Sequence, residues 1–345
     1  MRLRPRAIEG RASTELRRLL RETDGPVVAI GGATPHHAQL AEATGFKLFG
    51  LSGSQASAHI LGMPDAGLMT VTEIVENARR ICQAVSIPVI ADGETGFGNV
   101  INASRAVSDL INAGVAGLFI EDQVFPKRCG FTAGVEIVPA QEAVGKLRAA
   151  MAVRDDLDRD VVIMARTDSR ACVGGSLDEV LRRCDAYLKA GVDMLMITAL
   201  QSREEIRAVR EAFPEARIEL NVSGLNPPLT DQELRDFGIA IVSMSISKVA
   251  QVMMYDFLIE FRDKGFSVFN DFTDRIKDHP IGIFGFLELT GFPKVLEIEK
   301  AFLDPATLAK YEQSLSLYDP RAKGRLSEGK ADARQASQEA LQPQS

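Results

Sequence analysis

Two acids, Asp92 and Glu94, close an apolar run and open a glycine-rich turn in the stretch PVIADGETGFG, residues 88–98. Side chains two apart in a strand point the same way, so both carboxylates are expected to project together from the strand's end. Like charges held in one place repel unless a cation or a shared proton offsets them. One acid could instead cap the helix expected from about Asn99, but capping needs a single acid and not a same-face pair. No histidine or cysteine pair accompanies them in the sequence. Oxygen ligands alone point to a hard cation, and Mg2+ fits best, held by one or two carboxylates, waters and the oxygens of a substrate. Mn2+ suits the same oxygens.

A second reactive group is Cys129, in the long segment QVFPKRCGFTAGVEIVP. Long loops beside a site act as lids or binding loops, and Gly130 and Gly134 leave this one free to close. Lys127 and Arg128 flank the thiol, and neighbouring cations lower a thiol's pKa. The alternative is a small apolar filler, which the basic, glycine-containing surroundings disfavour. The four histidines, at 36, 37, 59 and 279, have no metal-ligand spacing and read as structural.

The elements that must position these groups form a repeat. Eight short apolar runs end in polar residues or glycine: 27–32, 47–53, 88–94, 116–122, 160–168, 193–200, 217–223 and 239–245. Between them lie segments of helical period, with Ile74, Ala78 and Ile81 on one face and Val180, Cys184, Tyr187 and Leu188 on another. Near-continuous apolar strands alternating with helices require a parallel sheet covered on both faces. Eight units fit a closed (β/α)8 TIM barrel best; an open doubly wound sheet is the alternative, because periodicity does not show closure. In a barrel all the run ends meet at one mouth. They are Gly31 and Gly32, Ser52 and Gly53, Asp92 and Glu94, Glu121 and Asp122, Arg166 and Asp168, Thr198, Asn221 and Ser223, and Ser245 and Ser247. Wet strand ends explain the serines, but an arginine among carboxylates less well.

The domain reading is an N-terminal helix within 1–25, its helical part at 12–22 with Ser13 or Thr14 as cap, then the barrel over 26–265. A C-terminal helical extension follows over 266–319, and a disordered tail over 320–345, where apolar residues become scarce. The apolar stretch FGFLELTGF (284–292) would need a partner if exposed. Of the 345 residues 46% are hydrophobic and 25% charged, ordinary for a globular chain. The net charge of −7, with no basic stripe, argues against nucleic acid as a partner. No apolar run reaches membrane-spanning length and no signal-peptide core opens the chain, so no membrane association is expected. Cysteines at 82, 129, 172 and 184 form no paired framework, which suits a cytoplasmic location with free thiols.

LSGS (51–54), GMPD (62–65), DGETGFG (92–98), AGLFIEDQVFPKRCG (116–130) and MARTD (164–168), in this order, resemble the isocitrate lyase/phosphoenolpyruvate mutase superfamily. The resemblance spans about 15–250 and is closest to the 2-methylisocitrate lyase and 2,3-dimethylmalate lyase branch. It implies a (β/α)8 barrel, Mg2+, an enolate-type intermediate, a small carboxylic-acid substrate, and homotetramers built from helix-swapped dimers. By position it implies that Ser52, Gly53 and Ser54 form a substrate-carboxylate loop bordered by Asp65. Asp92 and Glu94 match the metal pair, supported by Glu121. Cys129 and Gly130 match the gating loop, Arg166 the substrate arginine, and Asn221 and Ser223 a further oxygen-binding pair.

The departures bear on substrate. Phe131 replaces the loop histidine, Glu94 the usual aspartate, Gly50 a tyrosine, and Thr198 a glutamate, while an arginine that reads an extra carboxylate aligns near Ala250. Without that bidentate partner a tricarboxylate is disfavoured and a smaller acid gains. The resulting expectation is a Mg2+-dependent carbon–carbon lyase acting on a substituted 2-hydroxy dicarboxylate by retro-aldol cleavage, with Cys129 as acid or base to the carbanion. Alternatives on the same site are an oxaloacetate-type hydrolase or decarboxylase and phosphonate mutase chemistry. From another class comes a degenerate barrel kept for binding. The base for the 2-hydroxyl is unassigned, since Gly50 stands where the family has tyrosine.

Overall fold

A computed structural model describes residues 10–221, 224–282 and 285–312. Eight parallel strands close on themselves: β1 (Val27–Gly32), β2 (Leu48–Leu51), β3 (Val89–Asp92), β4 (Gly117–Glu121), β5 (Val162–Thr167), β6 (Met194–Ile197), β7 (Ile218–Asn221) and β8 (Ile241–Ser245). β8 pairs back onto β1, with Val28 opposite Val242, so the sheet is a (β/α)8 barrel and not an open one. Strand alternation divides the apolar residues into two sets. Phe49, Leu51, Leu118, Ile120, Ile163, Leu195 and Leu220 face the helices. Ala29, Ile90, Phe119, Met164, Met194, Met196 and Ile241 fill the barrel's interior.

Helix starts follow capping chemistry. Thr70 and Glu73 form a capping box for Val71–Ala84, and Ser176 accepts from the Glu179 N–H at the start of Leu177–Ala190. The expected faces, Ile74, Ala78 and Ile81, and Val180, Cys184 and Tyr187, are buried. The first helix, Ala12–Glu22, packs Leu16 and Leu19 into the interior cluster, and Leu16 lies against Gly117. Its hydroxyls do not cap it. Ser13 and Thr14 sit inside the helix and donate to Asp158 and Asp160 at 2.8 and 2.5 Å, while Arg11 holds the cap position.

The chain divides into two compact units, one of Arg6–Val252 and one beginning at Met253. In the second, helices Phe266–Ile276, Gly285–Leu289, Phe292–Phe302 and Pro305–Glu312 follow the end of the long helix Ile246–Lys264. Phe257 packs against Phe261 and Phe272, with ring centroids 6.3 and 5.2 Å apart. Residues 313–319 of the expected extension and the tail from 320 lie outside the described residues.

Candidate active site

β3 ends at Asp92, one residue before the turn that carries Glu94. Glu94 adopts a left-handed backbone conformation, φ 52°, which a non-glycine residue holds only when its surroundings impose it. Three bonds impose it. The Glu94 N–H donates to Asp92 Oδ1 at 2.8 Å, the Gly93 N–H to the Phe119 carbonyl at 2.8 Å, and the Glu94 carbonyl accepts the Glu121 N–H at 2.9 Å. The two carboxylates therefore meet through a tight turn, not through the strand alternation expected from sequence. Their meeting point is Gly53, just past β2. Its N–H donates to Asp92 Oδ2 at 3.0 Å, and a Cβ there would lie 2.7 Å from Asp92 Oδ2 and collide with Glu94 Oε1.

Lys127 answers this charge. Its ammonium, 2% exposed, lies 2.6 Å from Asp65 Oδ1, 2.9 Å from Glu94 Oε2 and 3.9 Å from Glu121 Oε1. Burial opposes the ammonium, but Asp92, Glu121, Glu94 and Asp65 outweigh it and raise Lys127 above the ordinary lysine value. Burial, with Asp92 adding to it, pushes the Glu94 carboxyl up to about 7 despite Lys127. The sequence expectation that Lys127 activates Cys129 is thus replaced: its charge is committed to carboxylates.

Arg166, near the end of β5, points into the barrel. Nη1 stands 2.9 Å from Glu121 Oε2, Nη2 donates to Asp168 Oδ1 at 3.0 Å, and the guanidinium lies 5.8 Å from the centre of the Phe119 ring. Burial opposes its charge, yet Asp168, Glu121 and Asp92 raise Arg166 well above its ordinary value. Glu121 is pushed well above the ordinary glutamate value by burial, against Arg166. Despite the ion pair, neither Glu121 oxygen receives an aligned hydrogen bond among the described residues. Thr198 donates to Asp168 Oδ1 at 2.7 Å, so the residue in the place of the family glutamate braces the arginine's partner.

Cys129 and Gly130 come down over this pair. The Cys129 N–H donates to the Asp65 carbonyl at 3.0 Å, and the loop base is pinned by Val124 N–H to Glu136 and Val138 N–H to Asp122. A Cβ on Gly130 would lie 2.7 Å from Asp168 Oδ1 and 3.0 Å from Arg166 Nη2, so only glycine permits this approach. Beneath lies a cavity of about 340 Å3 whose walls include Ser52, Ser54, Asp65, Asp92, Cys129, Gly130, Phe131, Arg166 and Asn221. Gly53, Glu94 and Glu121 stand immediately beside it through the contacts above, and Ser223 lies outside the described residues.

Among the described residues no three His, Cys, Asp or Glu side chains gather as a metal-binding group. The donor set still fits Mg2+, which takes one or two carboxylates and completes its shell with waters and substrate oxygens. Asp92 Oδ2 and Glu94 Oε1 converge at Gly53. They are hard oxygens in a buried pocket, and Glu121 has both oxygens short of hydrogen bonds.

The sequence reading misplaces one acid and misses another. Asp122, counted among the mouth acids, faces away from the barrel axis. Its carboxylate accepts from Thr167 Oγ1 at 2.7 Å, Asp168 N–H at 3.0 Å, Tyr187 Oη at 2.8 Å and Arg183 Nη1 at 3.1 Å, and so anchors the end of β5. Glu219 lies within β7, two positions before Asn221 and on the same inward face. An acid at inward parity in RIELNVS was the signal for it.

With this geometry in hand, the chain can be set beside known proteins. Residues 16–258 match the family model described as phosphoenolpyruvate phosphomutase. The 2,3-dimethylmalate lyase of Eubacterium barkeri is 37% identical over 290 residues, covering 83% of this chain and 96% of that one. The structure of oxaloacetate acetylhydrolase in complex with 3,3-difluorooxalacetate superposes with a TM-score of 0.75 at 28% identity, over 84% of this chain and 96% of that one. That of phosphonopyruvate hydrolase in complex with oxalate and Mg2+ does so with a TM-score of 0.71 at 29% identity, over 86% and 100%. A closed barrel, the ordered motifs and these likenesses agree: the chain belongs to the phosphoenolpyruvate phosphomutase family and is an enzyme of the phosphoenolpyruvate mutase/isocitrate lyase superfamily.

Proposed function

We propose that this chain is a Mg2+-dependent carbon–carbon lyase that cleaves a substituted 2-hydroxy dicarboxylate, of the methylisocitrate or dimethylmalate kind, through an enolate. The observation that carries this reading is the meeting of Asp92, Cys129 and Arg166 on the wall of one cavity, with Glu94 turned to Asp92. Asp92 and Glu94, with Glu121 in support, would hold Mg2+, which would supply positive charge where a substrate oxygen becomes negative. Arg166 and the Ser52–Ser54 segment hold substrate carboxylates, Asp65 borders them, and Asn221 with Ser223 holds a further oxygen. Cys129, on the loop that covers the cavity, delivers a proton to the carbon left carrying the electron pair when the bond breaks. Gly130 lets that loop close on the arginine and exclude water.

A second reading, hydrolysis or decarboxylation of an oxaloacetate-like acid, is favoured by the likeness to oxaloacetate acetylhydrolase and by Gly50, which leaves one wall open: a Cβ there would have only the Gly31 Cα, at 3.9 Å, within contact. Incubation with methylisocitrate, dimethylmalate and oxaloacetate, with and without EDTA, decides between them. The lyase reading expects EDTA-sensitive release of a 2-oxo acid from one of the first two, and turnover of oxaloacetate alone overturns it.

The assembly that suits this reading is a homotetramer of helix-swapped dimers. Val252, Met253, Met254, Leu258, Phe266 and Phe302 are each more than half exposed, as a helical segment awaiting a partner would be. Four free cysteines fit a reducing cytoplasm. Among the described residues no helix is long and apolar enough to cross a membrane.

A further inference from the structure

The cavity runs deeper than the groups assigned so far. Below Asp92 and Arg166 it passes Ala29, Ile90, Phe119 and Met196 and reaches Glu219 on β7. Gly31 and Gly50 open this depth, since neither β1 nor β2 puts a side chain into it there. Glu219 is 3% exposed and has no cation within salt-bridge distance among the described residues. Ser243 on β8 donates to its Oε1 at 2.5 Å and fixes the carboxyl, while Oε2 has no hydrogen-bond partner among the described residues. A buried acid held by one oxygen, with the other unclaimed and a substrate-sized cavity against it, is a group waiting for a ligand's proton or lone pair.

The other carboxylates on this wall are committed. Asp65 is paired with Lys127, and Asp92 accepts two backbone N–H groups. His59, with Nδ1 on the Gln55 carbonyl, belongs to the exposed segment after β2 and not to the buried depth that Glu219 lines, and Cys129 serves the carbanion in the mechanism above.

We propose that Glu219 is the catalytic base that takes the proton of the substrate's 2-hydroxyl; this rests on the lyase reading. The step balances within the chain and its substrate. The Glu219 carboxylate accepts the hydroxyl proton, the C2 oxygen becomes the carbonyl of the 2-oxo acid, and the C2–C3 bond breaks. Its electron pair passes to C3, which takes the Cys129 proton. Glu219 then loses its proton to solvent as the Cys129 thiolate regains one. The charged groups facing Glu219 are Arg166 from β5, which favours its ionised form, and Asp92 from β3, which with burial opposes it and raises its pKa. Burial in this apolar well thereby makes Glu219 a stronger base than a solvent-exposed carboxylate.

Two measurements test this. In kinetics, Glu219→Gln, matched in shape, is expected to lower kcat by about 10²- to 10⁴-fold with KM little changed and to abolish the acidic limb of the kcat profile, while Glu219→Asp restores part of the rate. In calorimetry with EDTA present, L-malate is expected to bind the wild type about five-fold more tightly than succinate, which lacks only the hydroxyl, and Glu219→Leu is expected to erase the difference. A kcat in Glu219→Gln within three-fold of the wild type, or a malate-to-succinate ratio that is absent in the wild type or unchanged in Glu219→Leu, overturns the assignment. Wild-type failure to cleave any 2-hydroxy dicarboxylate removes the lyase reading instead, and the malate and succinate comparison still decides whether Glu219 meets the hydroxyl. A cooperative thermal transition in each variant, with its midpoint well above the assay temperature, excludes loss of fold as the cause.

Discussion

The Lys127 ammonium lies 2.9 Å from Glu94 Oε2, so the one loop lysine aimed inward stands against the carboxylate pair proposed to hold the metal. It neutralises acids that burial would otherwise keep protonated, and it ties the Cys129 loop to that pair. Lys127→Met keeps the side chain's length and removes its charge. Breaking a buried ion cluster from one side is expected to cost about 3–5 kcal/mol of stability near neutral pH. Mg2+ then supplies the missing charge, so millimolar Mg2+ should raise the thermal midpoint of Lys127→Met more than that of the wild type. Equal shifts in both proteins would show that the cation and Lys127 do not share these oxygens.

Gly53 makes a sharper case because its role is steric. A Cβ there would overlap Glu94 Oε1 and crowd Asp92 Oδ2. Overpacking of this kind costs about 1–3 kcal/mol in stability. The functional loss should be larger, because the carboxylates must part to admit the methyl group. Gly53→Ala is expected to stay folded, to bind Mg2+ at least about ten-fold more weakly by calorimetry, and to lose activity in proportion; one ligand misplaced by about 1 Å suffices for such a loss. Unaltered Mg2+ binding in a folded Gly53→Ala would remove Asp92 and Glu94 as its joint holders.

Cys129→Ser separates the two readings of the reaction. A serine hydroxyl is a much weaker acid than a thiol and cannot protonate the carbanion at a useful rate, so lyase turnover should fall by about 10²- to 10⁴-fold with KM near its original value. Decarboxylation of oxaloacetate, assisted by the metal site, should survive. Steady-state kinetics on both substrates gives the comparison, and retained lyase turnover would dismiss the thiol from the chemistry.

The barrel was legible because near-continuous apolar strands and capped amphipathic helices leave local signals at every step, from VVAIGG to the Thr70–Glu73 box. The meeting of Asp92 and Glu94 was legible too, but its cause was not. The strand stops two residues short of Glu94, and the left-handed turn there is held by a carbonyl of β4 that no local pattern reveals. Lys127 was misread for the same reason: its sequence neighbour is Cys129, but its spatial neighbours are acids on β4, on the turn after β3 and on a distant loop. Asp122 and Glu219 follow from parity, since one strand position reverses the side to which a carboxylate points.

Glu219 leaves a trace in stability that needs no substrate. Burial is the largest influence on its carboxyl and raises it above the ordinary glutamate value of 4.5, while the Ser243 hydroxyl and Arg166 offset only part of this. Above pH 4.5 the unfolded chain has released this proton while the folded chain still holds it. The folded state then binds more protons, so this residue's contribution to stability falls as pH rises, until Glu219 itself ionises. Glu219→Gln carries no such dependence. The variant is therefore expected to gain stability relative to the wild type between pH 5 and pH 8, read as the difference in urea midpoints with EDTA present. The Ser243 hydrogen bond favours the ionised carboxyl and so reduces this dependence without reversing it, because burial remains the larger influence. A midpoint difference that is flat with pH, or that turns in the wild type's favour at pH 8, would mean that Glu219 bears no burial penalty on its charge.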